Sequence, residues 1–140
     1  MAGMSLEQGR TVLAELFAPW LQDLNLEIER IGPDGTRVRM PLDERLYRTG
    51  GTVCGQSLMA LADTTMVFAV SGAAGRYRPM TTVSQSTSFL RPITEADVIA
   101  EGRVLKLGRS LAFGEVLLYA EGSGDPAVQV SSTYALLPEK

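Results

Sequence analysis

The chain has 140 residues, 45% apolar and 21% charged, which is the balance of an ordinary soluble protein and the length of one compact domain. Thirteen Lys plus Arg against sixteen Asp plus Glu leave a net charge of −3 with no basic tract, which argues against a dedicated nucleic-acid partner. Histidine is absent, which excludes Ser-His-Asp and Cys-His arrangements and removes the commonest metal ligand, while the single cysteine, Cys54, makes neither an intrachain disulfide nor a zinc site. Chemistry must therefore run on carboxylates and backbone groups, with no metal and no cofactor. The first residues lack the basic-then-apolar run of a secretory signal, so a cytoplasmic location is expected.

Ser5 stands three residues before Gln8, a capping-box spacing, and Val12, Leu13, Leu16, Phe17 and Trp20 follow at helical intervals. A helix within residues 1–22 is expected. From Leu24 the period becomes two, with Leu24, Leu26 and Ile28 alternating against Asn25, Glu27 and Glu29, and Gly32-Pro33-Asp34-Gly35 supplies turn chemistry. Val38, Met40 and Leu42 alternate beyond the turn, completing a hairpin whose second strand Pro41 ends near an edge. A polar, glycine-bearing loop over 43–54 leads into a long helix from Gly55 to about Ala74, closed by Gly72 and Gly75. Four strands follow, over 81–90, 98–107, 111–119 and 128–137, the last three separated by Leu107-Gly108-Arg109 and by Glu121-Gly122-Ser123-Gly124-Asp125.

The apolar run 53–74 has the length of a membrane span, yet Gln56, Ser57, Asp63, Thr64, Thr65 and Ser71 interrupt it. A central Asp alone costs about 2.5–3.5 kcal/mol on insertion scales. A helix buried almost all round in a soluble domain is the better reading, with no membrane partner. The element order then gives an α+β fold, an antiparallel sheet wrapped around one nearly charge-free helix, as a single domain over 1–140.

Between Arg48 and Arg76, Asp63 is the only residue bearing a carboxylate, ammonium or guanidinium. It falls mid-helix, where aspartate has poor propensity and caps nothing. Something outside the helix must hold it, or burial must raise its pKa; it is either a functional carboxylate or an interface carboxylate satisfied by an Arg or by backbone amides. The helix start is the second candidate, because unpaired N–H groups at Gly55 would polarise a docked carbonyl oxygen. The plainer alternative is that Gly50, Gly51 and Gly55 only permit a tight loop. Ser57 lacks a nucleophile-elbow context and Cys54 has no base to activate it, while Leu58, Leu61, Met66, Phe68 and Val70 are core, with only their loop end available to line an acyl pocket. Gly55 and Asp63 are eight residues apart, about 12 Å along a helix. One small carbonyl group cannot touch both within a chain, so a joint site requires Gly55 of one subunit to face Asp63 of another across a two-fold axis.

The segment Tyr47-Arg48-Thr49-Gly50-Gly51-Thr52-Val53-Cys54-Gly55-Gln56-Ser57-Leu58-Met59-Ala60-Leu61-Ala62-Asp63-Thr64 resembles the signature of hotdog-fold thioesterases of the phenylacetic-acid-degradation type, Asn-x-x-Gly-x-x-His-Gly-Gly followed by a catalytic Asp in a Leu-Ala-Asp context. Ser88-Phe89-Leu90-Arg91-Pro92-Ile93, Asp97 with Glu101-Gly102, and Leu107-Gly108-Arg109 are similar to that family's later strands and turns, so the resemblance covers about 36–137. It implies a hotdog fold and hydrolysis of an acyl-CoA thioester, with Asp63 as nucleophile or as base for water and the Gly55 N–H polarising the carbonyl. It further implies a homodimer or dimer of dimers with sites at the subunit interface, and substrate contacts from Arg48, Cys54, Gln56, Thr64, Val67, Arg91 and Arg109. Arg91 and Arg109 are the expected phosphate contacts among the available cations Arg76, Arg78, Arg91, Lys106 and Arg109. Three positions depart from the signature: Arg48 replaces Asn or Gln, Cys54 replaces His, and Gln56 replaces the second Gly. Arg48 would then either pair with Asp63 or bind an acidic acyl group. Two rivals follow, a non-catalytic acyl-CoA-binding or regulatory protein and a hydratase on the same fold, the latter opposed by the absence of histidine.

Overall fold

The computed structural model describes residues 3–138, so residues 1, 2, 139 and 140 of the expected domain and N-terminal helix lie outside the described residues. Helices α1 (Leu6–Leu16) and α2 (Pro19–Gln22) lead into strands β1 (Glu27–Gly32) and β2 (Gly35–Met40). A 3-10 turn, Glu44–Leu46, precedes the long helix α3 (Gly55–Ala74), after which come β3 (Met80–Phe89), β4 (Val98–Leu107), β5 (Leu111–Ala120) and β6 (Val128–Leu136). The six strands form one antiparallel sheet in the order β1-β2-β4-β5-β6-β3, wrapped on α3. This is the α+β hotdog architecture.

Three expectations need correction. The N-terminal segment is two helices, because Pro19 lacks the N–H needed to continue α1 and instead starts α2 at its first position. Ser5 and Gln8 do form the reciprocal capping box, and Leu13 is buried, but the break turns Leu16 and Trp20 outward, leaving them about 60% exposed. Phe17 is the aromatic that docks, stacking on Phe68 of α3 with ring centroids 5.6 Å apart. Second, β2 is interior, paired with β1 and β4; Pro41 ends it, and the sheet edges are β1 and β3. Third, Gly72 does not cap α3. The cap is Gly75, with φ +83 in the left-handed region, while a Cβ on Gly72 would lie 2.7 Å from the Gly32 carbonyl oxygen.

Small residues also let the sheet approach α3 from the other side. A Cβ on Gly102 would meet Thr65 Cγ2 at 2.9 Å, and one on Gly114 would meet Met66 Sδ at 2.8 Å. Leu61, Met66, Phe68 and Val70 of α3 are fully buried against Val38, Val98, Val116, Leu118 and Val130. The helix is long and apolar enough by length and composition to cross a membrane, but two-thirds of that window is buried inside this fold. The outer face of the sheet carries the charges. Arg37 and Arg39 alternate with buried Thr36, Val38 and Met40, and Glu29 bridges the two guanidiniums at 2.7 Å each; Arg39 also reaches Asp97 at 2.8 Å, and Glu121.

Two outcomes follow. Gly72→Ala should destabilise by about 1–3 kcal/mol in urea unfolding, because the neighbouring atom is backbone and cannot rotate away. Hydrogen bonds from Arg39 and Arg37 hold Glu29 below its ordinary carboxylate value, and the Leu42 N–H together with Arg39 does the same for Asp97. A depressed folded-state pKa contributes stability that is complete above the unfolded value near about pH 4 and is lost as pH falls through the folded value. Thermal melts should therefore fall more steeply below about pH 5 for the wild type than for Arg39→Met.

Candidate active site

The start of α3 is shaped by the loop before it. Tyr47 bridges Val53, the Arg48 N–H donates to the Thr52 carbonyl at 2.9 Å, and Gly50 and Gly51 take φ of +103 and +84, which the tight turn requires. The Cys54 N–H donates to the Leu46 carbonyl, but the Cys54 side chain caps nothing. Its thiol instead donates to Ser57 Oγ at 3.4 Å, and that hydroxyl donates back to the Cys54 carbonyl at 2.8 Å. The first N–H groups of a 20-residue helix, Gly55 among them, are thus left without a side-chain cap. They border a cleft of about 490 Å3 lined by Arg48, Thr52, Gly55, Leu58, Phe89 and Arg91, among others. Gly55 is glycine for a different reason from Gly50 and Gly51: an added Cβ would lie 3.1 Å from the Phe89 ring.

Eight residues along α3, Asp63 is half-buried and held by two hydroxyls. Tyr134 donates to Oδ1, and Thr82 donates to the same oxygen at 2.9 Å. The Tyr134 hydroxyl also lies 3.2 Å from the Asp63 backbone carbonyl. Burial, and then the neighbouring Asp63 charge, push the Tyr134 phenol well above its ordinary value, so it stays protonated and a donor. The carboxylate is held from outside its helix, as its position demanded, but by hydroxyls and not by an arginine. Arg48 does not pair with Asp63; it lies at the Gly55 end of the helix, and its side chain has no hydrogen bond or ion pair among the described residues.

The remaining predicted contacts divide by place. Gln56, Met59, Ala60, Asp63 and Val67 form the stripe of α3 that the sheet leaves uncovered, so Gln56 and Val67 share a face with Asp63. Thr64 does not belong to it: only 3% exposed, it spends its hydroxyl on the Ala60 carbonyl at 2.8 Å and turns into the core. Arg91 lines the Gly55 cleft, steered by the Pro126 carbonyl at 3.1 Å and the Asp125 carboxylate at 3.7 Å. Arg109 sits on the turn between β4 and β5, and the pairing of Leu111 with Ala135 and of Ala135 with Thr81 puts that turn at the Asp63 end of the sheet. The cations therefore flank different half-sites. Sequence reasoning missed Tyr134, Thr82 and Phe89; their segments were read as strands, but no local pattern says which strand residue meets Asp63 or Gly55.

The comparisons agree with this architecture. Residues 50–127, more than half of the chain, match the model of the thioesterase superfamily. A protein of Thermoplasma volcanium described as a candidate esterase is 33% identical over 104 residues, covering 71% of this chain and 74% of that one. The crystal structure of a candidate thioesterase from Silicibacter sp. TM1040 superposes with a TM-score of 0.84 at 33% identity, covering 97% of this chain and 96% of that one. A thioesterase from Haemophilus influenzae, 21% identical, shares the fold with a TM-score of 0.84 over 98% of this chain and 95% of its own. The chain belongs to the thioesterase superfamily, a family of thioester hydrolases.

With its thiol engaged by Ser57 and no histidine in the chain, Cys54 has no base to make it a nucleophile. Cys54→Ala should keep hydrolytic activity within about tenfold of wild type in an assay of free thiol release; inactivation by this change would return Cys54 to the reaction.

Proposed function

We propose that the protein hydrolyses an acyl-CoA thioester, as the phenylacetic-acid-degradation type does, in the cytoplasm and at a site shared by two copies of the chain. The observation that carries this reading is the placement of the two half-sites along β3. Gly55 packs by Phe89 at one end of that strand, and Asp63 is bonded to Thr82 near the other. Edge strand β3 is exposed along most of its length, with Val83 and Phe89 in it and Leu90 just after it each more than half exposed, beside the uncovered stripe of α3. Such an edge invites pairing with another strand. Antiparallel pairing of β3 with its own two-fold copy would bring the Phe89 end of one chain to the Thr82 end of the other, and with them Gly55 to Asp63. Dimers of dimers extend the same arrangement.

The thioester carbonyl then accepts a hydrogen bond from the Gly55 N–H, whose positive helix end stabilises the developing oxyanion. Asp63 of the other chain either takes the proton from an attacking water or attacks the carbonyl carbon itself. With water as nucleophile, its oxygen bonds to the carbonyl carbon, the carbon–sulfur bond breaks and the thiolate leaves with the proton Asp63 accepted, giving free acid and coenzyme A. With Asp63 as nucleophile, the carbon–sulfur bond breaks to leave an acyl–aspartyl anhydride and a thiolate protonated from solvent, and water then hydrolyses the anhydride to the free acid. Arg48 and Arg91 offer positive charge at the Gly55 cleft, for an acidic acyl group or for the phosphates of coenzyme A, and Arg109 does so near Asp63.

The test is a panel of acetyl-, hexanoyl-, palmitoyl- and phenylacetyl-CoA assayed by free thiol release. Turnover by the wild type and a loss of about a hundredfold or more in kcat for folded Asp63→Asn are expected. Binding without turnover would favour the non-catalytic reading. The shared site has its own check: mix Asp63→Asn with a folded Gly55→Pro variant, which lacks the polarising N–H. Random exchange gives about half heterodimers, each with one intact site, so about a quarter of wild-type activity per chain should return. Activity that stays at the mutant level after verified exchange would refute sharing.

A further inference from the structure

The two oxygens of the Asp63 carboxylate are treated differently by the fold. Both donors within reach, the Tyr134 phenol and the Thr82 hydroxyl, converge on Oδ1, and no donor among the described residues reaches Oδ2. The two donors also differ in rigidity. Thr82 lies exposed on edge strand β3, whereas Tyr134 is fully buried, one of the largest side chains in the core, and anchored in β6 between β5 and β3. Two residues earlier on the same inward face of β6, the buried Ser132 hydroxyl lies beside the phenol oxygen.

We propose that Tyr134 is a positioning residue that, by holding Oδ1 against the sheet, fixes the plane of the Asp63 carboxylate and assigns Oδ2 to the reaction. The inference rests on the reading of Asp63 as the reacting carboxylate. A free aspartate turns readily about its last torsion and presents either oxygen, so an unanchored Asp63 would spend much of its time misaimed. With Oδ1 occupied, Oδ2 is the carboxylate oxygen left without a donor among the described residues. It takes the proton of an attacking water while the water oxygen bonds to the thioester carbon, and the thiolate leaves with that proton as the carbon–sulfur bond breaks; or it bonds to the carbon itself, expelling a thiolate that is protonated from solvent and leaving an acyl–aspartyl anhydride that water hydrolyses. A phenol suits this role better than an arginine, since it orients the carboxylate without placing a full positive charge beside a group that must attack or accept a proton. Because the phenol stays protonated, its donor role persists across the working pH range.

Tyr134→Phe removes the hydroxyl and keeps the ring. With whichever of the four acyl-CoA esters the wild type turns over fastest, kcat should fall by about tenfold to a hundredfold, the scale of a misaligned reacting group, while KM stays within about twofold. Adding Tyr134→Phe to Asp63→Asn should change the residual rate by less than about twofold, because the phenol acts only through the carboxylate. An unchanged kcat in the single variant overturns the inference. So does a kcat loss in the double variant as large as in the single one, which would mean the phenol serves something other than Asp63. If Tyr134→Phe does not fold, 3-fluorotyrosine placed at position 134 alters the donor with almost no change of shape; an altered kcat at constant KM supports the assignment, and an unchanged kcat overturns it. Failure of the underlying reading looks different. Full activity in Asp63→Asn, or a wild type that hydrolyses none of the four esters, removes Asp63 and this inference together, whereas an inactive Asp63→Asn beside a fully active Tyr134→Phe removes the inference alone.

Discussion

Everything in this fold depends on the absence of charge around α3. A helix whose sides carry Leu58, Leu61, Met66, Phe68 and Val70 with one ionisable side chain, Asp63, cannot lie on a surface as an ordinary amphipathic helix does. Burying each of those large side chains contributes roughly 1.5–3 kcal/mol, which no solvent-exposed arrangement recovers. The sheet therefore wraps the helix, and Gly102, Gly114 and Gly72 remove the side-chain bulk that would hold helix and sheet apart. The guanidinium–carboxylate ladder of Glu29, Arg37, Arg39 and Asp97 lies on the opposite face, where water remains available.

Wrapping is incomplete, and the gap is where the proposed chemistry sits. One stripe of α3, running from Gln56 through Asp63 to Val67, stays outside the sheet, beside edge strand β3. The core helix thus serves two purposes along its length. Its uncapped start supplies backbone N–H groups, and its middle supplies the carboxylate, with the straightness of the helix keeping the two about 12 Å apart. In the proposed two-fold arrangement that separation is what divides the site between chains.

The residues around Asp63 show how a carboxylate is kept in a largely apolar helix without an ion pair. Hydroxyls from β3 and β6 supply directional hydrogen bonds, and the phenol that supplies one of them is itself locked by core packing. An arginine in the same place would compensate the charge more fully but would also neutralise it. The departures from the family signature at Arg48 and Cys54 both lie at the other end of α3, around the cleft beside Gly55, so within one chain they do not touch Asp63; in the proposed two-fold arrangement they would face the carboxylate of the other chain.

Local chemistry was legible wherever the chain's neighbours along the sequence decide the outcome. The Ser5–Gln8 box, the helix from Gly55 closed by Gly75, and the four later strands follow from capping, periodicity and turn residues that act over a few positions. Asp63 stood out for the same reason, as the one charge in an apolar run. What needed the tertiary structure was every relation between residues distant in the chain. Tyr134 reaches Asp63 across 71 positions and Thr82 across 19, by a strand order that no local pattern encodes. Gly72 read as a helix stop until the approach of the Gly32 carbonyl gave its reason, and Thr64, next to the carboxylate in sequence, turned out to face the core because successive helical residues point about 100° apart. Spacing along the chain determined that Gly55 and Asp63 cannot meet in one chain; only the fold decided that they border opposite ends of the same exposed strand.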